Sequence, residues 1–416
     1  MTALAQRGLG SVYGTSRSVP FDRWFRYPAG FSADALDAAV SAANLAPKSR
    51  VIDPFCGAAT VARALVPSQQ FVGIEAHPLI ADLGRLKLAV PPAPIDEFRR
   101  AANTIVDQAG PGNGAAEHEL VIRCFDPIVL NQLVALRDAL PQRSPWRAHL
   151  VWALLGTLRD VASVSVGWPY QRPGRARAAP YRDPAARFLS RVDRMSADLR
   201  AQRPSGLGRV VRGDSRKADA WRRAKRSEMF DGCITSPPYL NNFDYADATR
   251  LELFFSKRVS SWSEMCSHAR ADMVVATTQQ SRRGLARSSA QFLSRRVPKT
   301  SERLLGLTTR LETERALRTR GKEYDQVLPA YFAGITKVLA HLRDSLTPRG
   351  MCAFVVGDSA PYGVPIDTPA LIGQLAEELG FELIDDQLLR TRGTRWRTNG
   401  QRHQIALSER LVSFRR

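Results

Sequence analysis

The chain has 416 residues with 60 Lys plus Arg against 40 Asp plus Glu, a formal charge of +20; it can bury a full core as two or three domains, or as one large domain with insertions. Its charge favours a polyanionic partner, or is only a solvated basic surface. The five cysteines (Cys56, Cys124, Cys233, Cys266, Cys352) lack any C-x-x-C pair and no stretch has the length of a signal peptide or membrane span, so a zinc site and a membrane partner are excluded and a soluble protein of a reducing cytoplasm is expected.

From Arg50 the chain reads as a short strand (Val51-Ile52), a glycine-containing turn (Asp53 to Thr60) and a helix from near Ala59 through Leu65. A second strand, Phe71 to Ile74, ends at Glu75, and Ile80 to Leu88 has helical spacing. Strands alternating with helices predict an α/β fold, a parallel sheet with helices on both faces. Residues 1–90 form the first part of that core. Between 91 and 205 the rhythm stops, and the segment reads as a largely helical insertion, clearest over Val129 to Leu140 and His149 to Val161, with a Pro/Gly/Arg-rich connection from Pro169 to Pro184. The core resumes over 206–255 with Arg209 to Val211, ending at Gly213-Asp214, and Gly232 to Ile234, ending at Ser236. Residues 256–321 read as an irregular basic insertion. From Arg282 to Lys322 there are twelve Lys/Arg against three Asp/Glu, which suits either a target-recognition element on DNA or a charged connector. Over 322–416 the core ends with a helix (Tyr324 to Leu346), a turn (Thr347 to Gly350), a strand (Cys352 to Val356), a helix (Thr368 to Leu379), and strands near Phe381 to Leu389 and His403 to Leu407.

Two constellations carry chemistry. A glycine turn between strand and helix lets backbone N–H groups approach a ligand, and an acid ending the next strand can accept ribose hydroxyls. Asp53 to Thr60 and Glu75 supply this pair across one β-α-β unit. The turn starts with an acid and holds one glycine, Gly57, rather than the three of a dinucleotide site. Asp53 would repel a pyrophosphate but suits the ammonium and sulfonium of S-adenosylmethionine. Its other reading is a turn-capping carboxylate.

The second constellation is Ser236-Pro237-Pro238-Tyr239, which follows a strand and Thr235. An exocyclic amine on a conjugated base is a poor nucleophile. A Ser236 hydroxyl and a carbonyl beside Pro237 can accept its two N–H groups, aim its lone pair and stabilise positive charge on nitrogen. Consecutive prolines add rigidity and no donors. Tyr239 would stack on a base flipped out of the duplex. No Pro-Cys dipeptide stands here, which disfavours thiolate attack on a ring carbon; Cys233 and Cys56 read as small packed residues.

The turn Asp53-Pro-Phe55-Cys-Gly57-Ala-Ala-Thr60 resembles the D-P-F-x-G-x-G-T cofactor motif of bacterial DNA amino-methyltransferases, departing at Ala59, and Thr235 to Tyr239 matches their T-S-P-P-Y catalytic loop. The segment Phe25-Arg-Tyr-Pro-Ala-Gly-Phe31-Ser32 is similar to that family's first cofactor-contacting segment. The resemblance implies a Rossmann-like S-adenosylmethionine-dependent methyltransferase fold: a mostly parallel seven-stranded sheet with an antiparallel terminal strand. It implies contacts to the cofactor from Phe31, Ser32, Phe55 and Thr60, and from Asp214, followed by Ser215, near the adenine amino group. Leu240-Asn-Asn-Phe-Asp-Tyr245, Arg392 to Trp396, His403 and Glu409 are similar to segments of a bacterial subgroup; Phe243, Tyr245 and Trp396 are pocket walls or ordinary core.

Ser at the first loop position is associated in that family with cytosine N4, ahead of adenine N6. The expected activity is site-specific methylation of cytosine N4 in a flipped base of duplex DNA, in restriction-modification, phage defence or epigenetic marking. A nucleoid-associated location in a bacterial cytoplasm and a nuclease or other defence partner go with it. The alternatives are adenine N6, an RNA base amine, or a non-enzymatic nucleic-acid-binding subunit with a degenerate cofactor site.

Overall fold

A computed structural model describes residues 19–27, 31–166, 180–201, 208–240, 244–280, 284–392 and 405–416. Pro28 to Gly30, most of the Pro169 to Pro184 connection, Phe243, Trp396 and His403 lie outside the described residues. The strands are β1 (Arg50–Asp53), β2 (Gln70–Glu75), β3 (Gly208–Arg212), β4 (Phe230–Thr235), β5 (Leu346–Gly357), β6 (Glu382–Arg392) and β7 (Leu407–Arg415). They form one sheet in the order β3-β2-β1-β4-β5-β7-β6. β1 to β5 pair in parallel, and the C-terminal strand β7 runs antiparallel to both β5 and β6. This is the Rossmann-like, mostly parallel seven-stranded fold expected from the sequence.

The central strands are continuous apolar runs because both faces are covered. Successive side chains go to opposite faces. Val51, Phe71, Ile234 and Ala353 pack with Ala35, Leu36 and Ala39 of α1 (Ala33–Ala43). Ile52, Val72, Cys233 and Phe354 pack on the other face with Leu328, Phe332 and Ile335 of a long later helix.

After α2 (Pro78–Leu88) come the helices α3 (Ile95–Gln108), α4 (Pro127–Asp138), α5 (Arg147–Val161) and α6 (Pro184–Ala201). Asp126 caps α4 through the Ile128 N–H, with Pro127 in the first turn. Phe98, Leu133, Trp146, Leu150 and Phe188 share one core with Trp24 and Phe25 and with Leu251, Leu253, Phe254 and Phe255. The insertion thus joins the segment before the Asp53 turn to the segment after the Ser236-Pro-Pro-Tyr239 loop.

Beyond α7 (Ala218–Lys225) and α8 (Arg250–Phe255), residues expected to be irregular form a helical hairpin, α9 (Leu285–Arg296) and α10 (Pro298–Ala316), packed on α11 (Tyr324–Ser345). Leu293, Val297, Leu304 and Leu311 are buried in the core of the sheet face beneath. Their helical spacing outweighs a polar, basic composition. The helix expected from Ala59 through Leu65 is instead a single 3-10 turn, Val61–Arg63. Gly57 (φ +51°) and Ala59 (φ +62°) both stand in the left-handed region, which keeps a right-handed helix from starting there. The Thr347 to Gly350 turn is a bulge inside β5: Phe230 pairs with Leu346 and Gly232 with Met351, and Arg349 has φ +65°. The last strand begins at Leu407 and runs to Arg415, where its register with β5 holds from Met351 to Gly357. After α12 (Thr368–Glu378) the chain turns at Gly380 (φ +86°) into β6. Among the described residues no helix is long and apolar enough to cross a membrane.

Candidate active site

The carboxyl ends of adjacent parallel strands are where an α/β sheet builds its sites. Asp53 ends β1 and Thr235 ends β4, and the strands are paired at Ile52 and Cys233. The Thr235 hydroxyl donates to Asp53 Oδ1 at 2.5 Å, and the Phe55 N–H donates to the same oxygen at 3.0 Å. Both side chains are buried. Burial raises the Asp53 carboxyl to about 7 against the opposing pull of these hydrogen bonds.

Glu75, ending β2, closes the turn. Its Oε2 accepts the Gly57 N–H at 2.9 Å and its Oε1 the His77 N–H at 2.6 Å; burial raises it too to about 7. A Cβ on Gly57 would meet only Tyr27 Cε1, 3.9 Å away, so its positive φ rather than crowding calls for glycine. Ala59 holds the same kind of conformation with a side chain, at a cost of about 1–2 kcal/mol. Phe31 packs with Cys56 and Ala59 under the turn. The Ser32 hydroxyl accepts from the Ala35 N–H at 3.3 Å, as the N-cap of α1. Phe55 is half-buried against the sheet core, and Thr60 is buried.

Asp214 stands beside these residues because the Gly213 N–H donates to the Glu75 carbonyl at 2.9 Å. Its carboxylate is engaged on both oxygens: Arg216 Nε donates to Oδ1 at 2.8 Å and Nη2 to Oδ2 at 2.9 Å. An adenine amine would have to share it with that guanidinium. Ser215 is buried, and its carbonyl accepts from Trp221 Nε1 at 2.6 Å.

In the loop after β4, Pro237 is buried while Ser236, Pro238 and Tyr239 are half-buried. The Tyr239 hydroxyl donates to Glu409 Oε1 at 2.7 Å, and its N–H donates to the Tyr245 hydroxyl at 3.3 Å. Burial first, then the Glu409 charge, raise the phenol well above its ordinary range. Tyr245 therefore stands against the loop.

Several contributors carry no motif. Tyr27 is buried between the two halves, its phenol raised by burial and then by Glu75, Tyr245 and Asp244. A His77 ring nitrogen lies 2.7 Å from Thr249 Oγ1, and burial lowers this imidazole to about 3. Asp244 pairs with Arg270 at 2.5 Å. Arg159, from α5, binds Glu252 Oε1 at 2.6 Å, the Ala248 carbonyl at 2.8 Å and the Arg26 carbonyl, fixing the walls of the site from the insertion.

The basic hairpin is oriented along the sheet flank. The Lys299 and Thr300 N–H groups donate to Glu378 at 3.1 and 2.7 Å. Glu378 ends α12 just before β6 begins, at the sheet end opposite Asp53 and Ser236. Exposed Arg295, Arg296 and Lys299 therefore face away from the site.

No protein-family model matches the chain. The Type II methyltransferases named M.AvaI of Nostoc sp. and of Anabaena variabilis are each 27% identical over 160 residues, 38% of this chain and 32% of theirs. The Type II methyltransferase M.BsoBI of Geobacillus stearothermophilus is 25% identical over 194 residues, 44% of this chain and 38% of its own. The matches span about a third of the length of these curated relatives. They agree with the motifs: the chain resembles bacterial DNA amino-methyltransferases. Among solved structures, TrmN from Thermus thermophilus aligns with 96% of this chain and 53% of its own at 11% identity and a TM-score of 0.34, too low to add to the sheet order.

Proposed function

We propose that this chain transfers a methyl group from S-adenosylmethionine to the exocyclic amine of a DNA base, cytosine N4 ahead of adenine N6. The observation that carries the reading is the Thr235 to Asp53 hydrogen bond of 2.5 Å, which ties the acidic turn to the strand end that launches Ser236-Pro-Pro-Tyr239.

The residues at the strand ends fit the cofactor. Asp53 and Glu75 are two buried carboxyls with pKa values near 7, beside a turn whose backbone approach depends on Gly57 at φ +51°. Asp53 suits the amino-acid end and Glu75 the ribose hydroxyls; a pyrophosphate would meet both charges. When bound, S-adenosylmethionine supplies an electrophilic methyl on a sulfonium. Ser236 and the loop carbonyl beside Pro237 hold the amine, and Tyr239 offers a stacking surface to the flipped base. As the nitrogen lone pair takes the methyl, the C–S bond breaks to leave a neutral thioether; the positive charge gained on nitrogen is stabilised by Ser236 and the carbonyl until its proton passes to solvent.

Cytosine is favoured by Ser at the first loop position. The Type II relatives suggest a role in restriction-modification or phage defence, with a nuclease or other defence partner and a nucleoid-associated location. Incubation with labelled S-adenosylmethionine and duplex DNA, single-stranded DNA or RNA, followed by nucleoside analysis, tests the reading. N4-methylcytosine from DNA is expected. N6-methyladenine would overturn the base assignment, a mark only on RNA would overturn the substrate, and tight binding without transfer would overturn the enzyme.

A further inference from the structure

We infer that the cavity between α2, α5 and the end of α8 is a binding site for a small apolar acid, a hydrocarbon body with one carboxylate head, separate from the Asp53 and Ser236 site.

The cavity holds about 730 Å3, inside the range of about 300–1,000 Å3 found for small-molecule sites. Leu86 of α2, Trp152 and Leu155 of α5 and Phe255 of α8 supply apolar wall. No residue of the Asp53 turn or of the Ser236 to Tyr239 loop lines it. One turn beyond Leu155, α5 carries Arg159 to Glu252 of α8, so the cavity is built on two helices that also reach the candidate active site.

Four arginines, Arg85, Arg137, Arg147 and Arg258, line the cavity against one carboxylate, Asp82. They are not equivalent. Arg137 is neutralised: its Nη1 and Nη2 each lie 2.8 Å from an oxygen of Glu117, and its Nε donates to Asp138 at 3.0 Å. Arg85 and Arg258 share Asp82, at 3.2 and 2.7 Å. Among the described residues Arg147 has no carboxylate partner. Its Nη1 donates to the carbonyls of Leu140 and Pro141, at 3.3 and 2.9 Å. Those bonds hold the guanidinium from one side and leave Nε and Nη2 for a ligand. A fixed guanidinium edge beside apolar wall suits a carboxylate, which it can bind through two parallel hydrogen bonds.

The remaining polar side chains offer little to the rest of a ligand. The Ser256 hydroxyl donates to the Glu252 carbonyl at 2.6 Å, and Ser144 Oγ accepts from the Trp146 N–H at 3.2 Å. A sugar or a base edge would give up water here without replacement partners. A hydrocarbon body loses nothing by entry and gains from leaving water.

The test titrates octanoate and octanol into the full chain by calorimetry, with circular dichroism to follow folding. Octanoate should bind about tenfold more tightly than octanol, because only the acid forms a charge-assisted pair with Arg147. Arg147→Gln should weaken octanoate about tenfold and leave octanol within about two-fold. Ala148→Trp fills the cavity from an exposed position and keeps Arg147 in place; it should abolish the binding of both. Deoxycytidine monophosphate should not displace octanoate. The inference is overturned if wild type does not bind octanoate, or binds octanol equally well, or releases octanoate to the nucleotide. It is overturned too if either folded variant keeps the wild-type octanoate affinity, and Ala148→Trp decides if Arg147→Gln does not fold. Neither readout needs methyl transfer, so this inference and the methyltransferase reading fail independently.

Discussion

Asp53 and Thr235 lie 182 positions apart in the chain, yet their side chains share a buried hydrogen bond of 2.5 Å at the ends of two paired strands. The bond places the acidic turn and the proline loop side by side. Thr235→Val would remove one donor from a buried carboxyl already raised to about 7. A hydrogen bond to a charged group contributes about 1.5–3 kcal/mol. Cofactor affinity, read by calorimetry at pH 7, should fall about tenfold; an unchanged affinity would mean that Asp53 is held without Thr235.

Ala59→Gly should stabilise the protein. Relief of the left-handed strain at φ +62° is worth about 1–2 kcal/mol, partly offset by the loss of a buried methyl and by a more flexible unfolded chain. A net gain of about 0.5–1 kcal/mol is expected in urea denaturation. A net loss would show that methyl packing outweighs the backbone strain.

Cofactor affinity should rise with pH between 6 and 8. Asp53 and Glu75 have folded values of about 7, above the ordinary carboxylate range, so the free protein holds them partly protonated below that pH, and a cationic ligand must displace the proton. Calorimetry at pH 6, 7 and 8 should show tighter binding at each step, levelling off above 7. Equal affinity at pH 6 and 8 would contradict the assignment of these carboxyls to the cofactor.

Acid stability should depend on His149. Its imidazole sits among Trp24, Phe98 and Trp146, at centroid distances of 5.9, 5.6 and 4.8 Å, and burial lowers it to about 4. A histidine whose folded value lies below its unfolded value, about 6.5, is held neutral, so its contribution is lost as pH falls from about 6.5 toward 4. His149→Phe should lose less melting temperature between pH 7 and 5 than wild type; an equal drop would place the acid sensitivity elsewhere.

Arg295, Arg296 and Lys299 sit at the hairpin turn, on the sheet end away from Ser236. Replacing all three by alanine should leave methyl transfer within about two-fold and the salt dependence of DNA binding nearly unchanged. A tenfold loss would place these three residues on the DNA path.

The two motifs were legible in the sequence because each carries its local backbone chemistry with it: Gly57 for a positive φ, and paired prolines for a loop without N–H donors. The sheet followed from apolar runs ending at Asp53, Glu75, Gly213 and Thr235. The hairpin was not legible because its abundant arginines masked Leu293, Val297, Leu304 and Leu311. Arg159 and His77 had no signal at all, since their partners Glu252 and Thr249 lie 93 and 172 positions away. Glu409 was visible as a residue, but its hold on Tyr239 spans 170 positions. A buried polar group reveals its purpose only through its partner.

Expression of the chain in a bacterial host lacking DNA methylation, followed by mass spectrometry of the deoxynucleosides, tests base amine methylation directly. N4-methyldeoxycytidine should appear with wild type and vanish with Ser236→Ala, while the purified variant still binds S-adenosylmethionine. DNA that stays unmodified with wild type, or a mark that persists unchanged with Ser236→Ala, would contradict it.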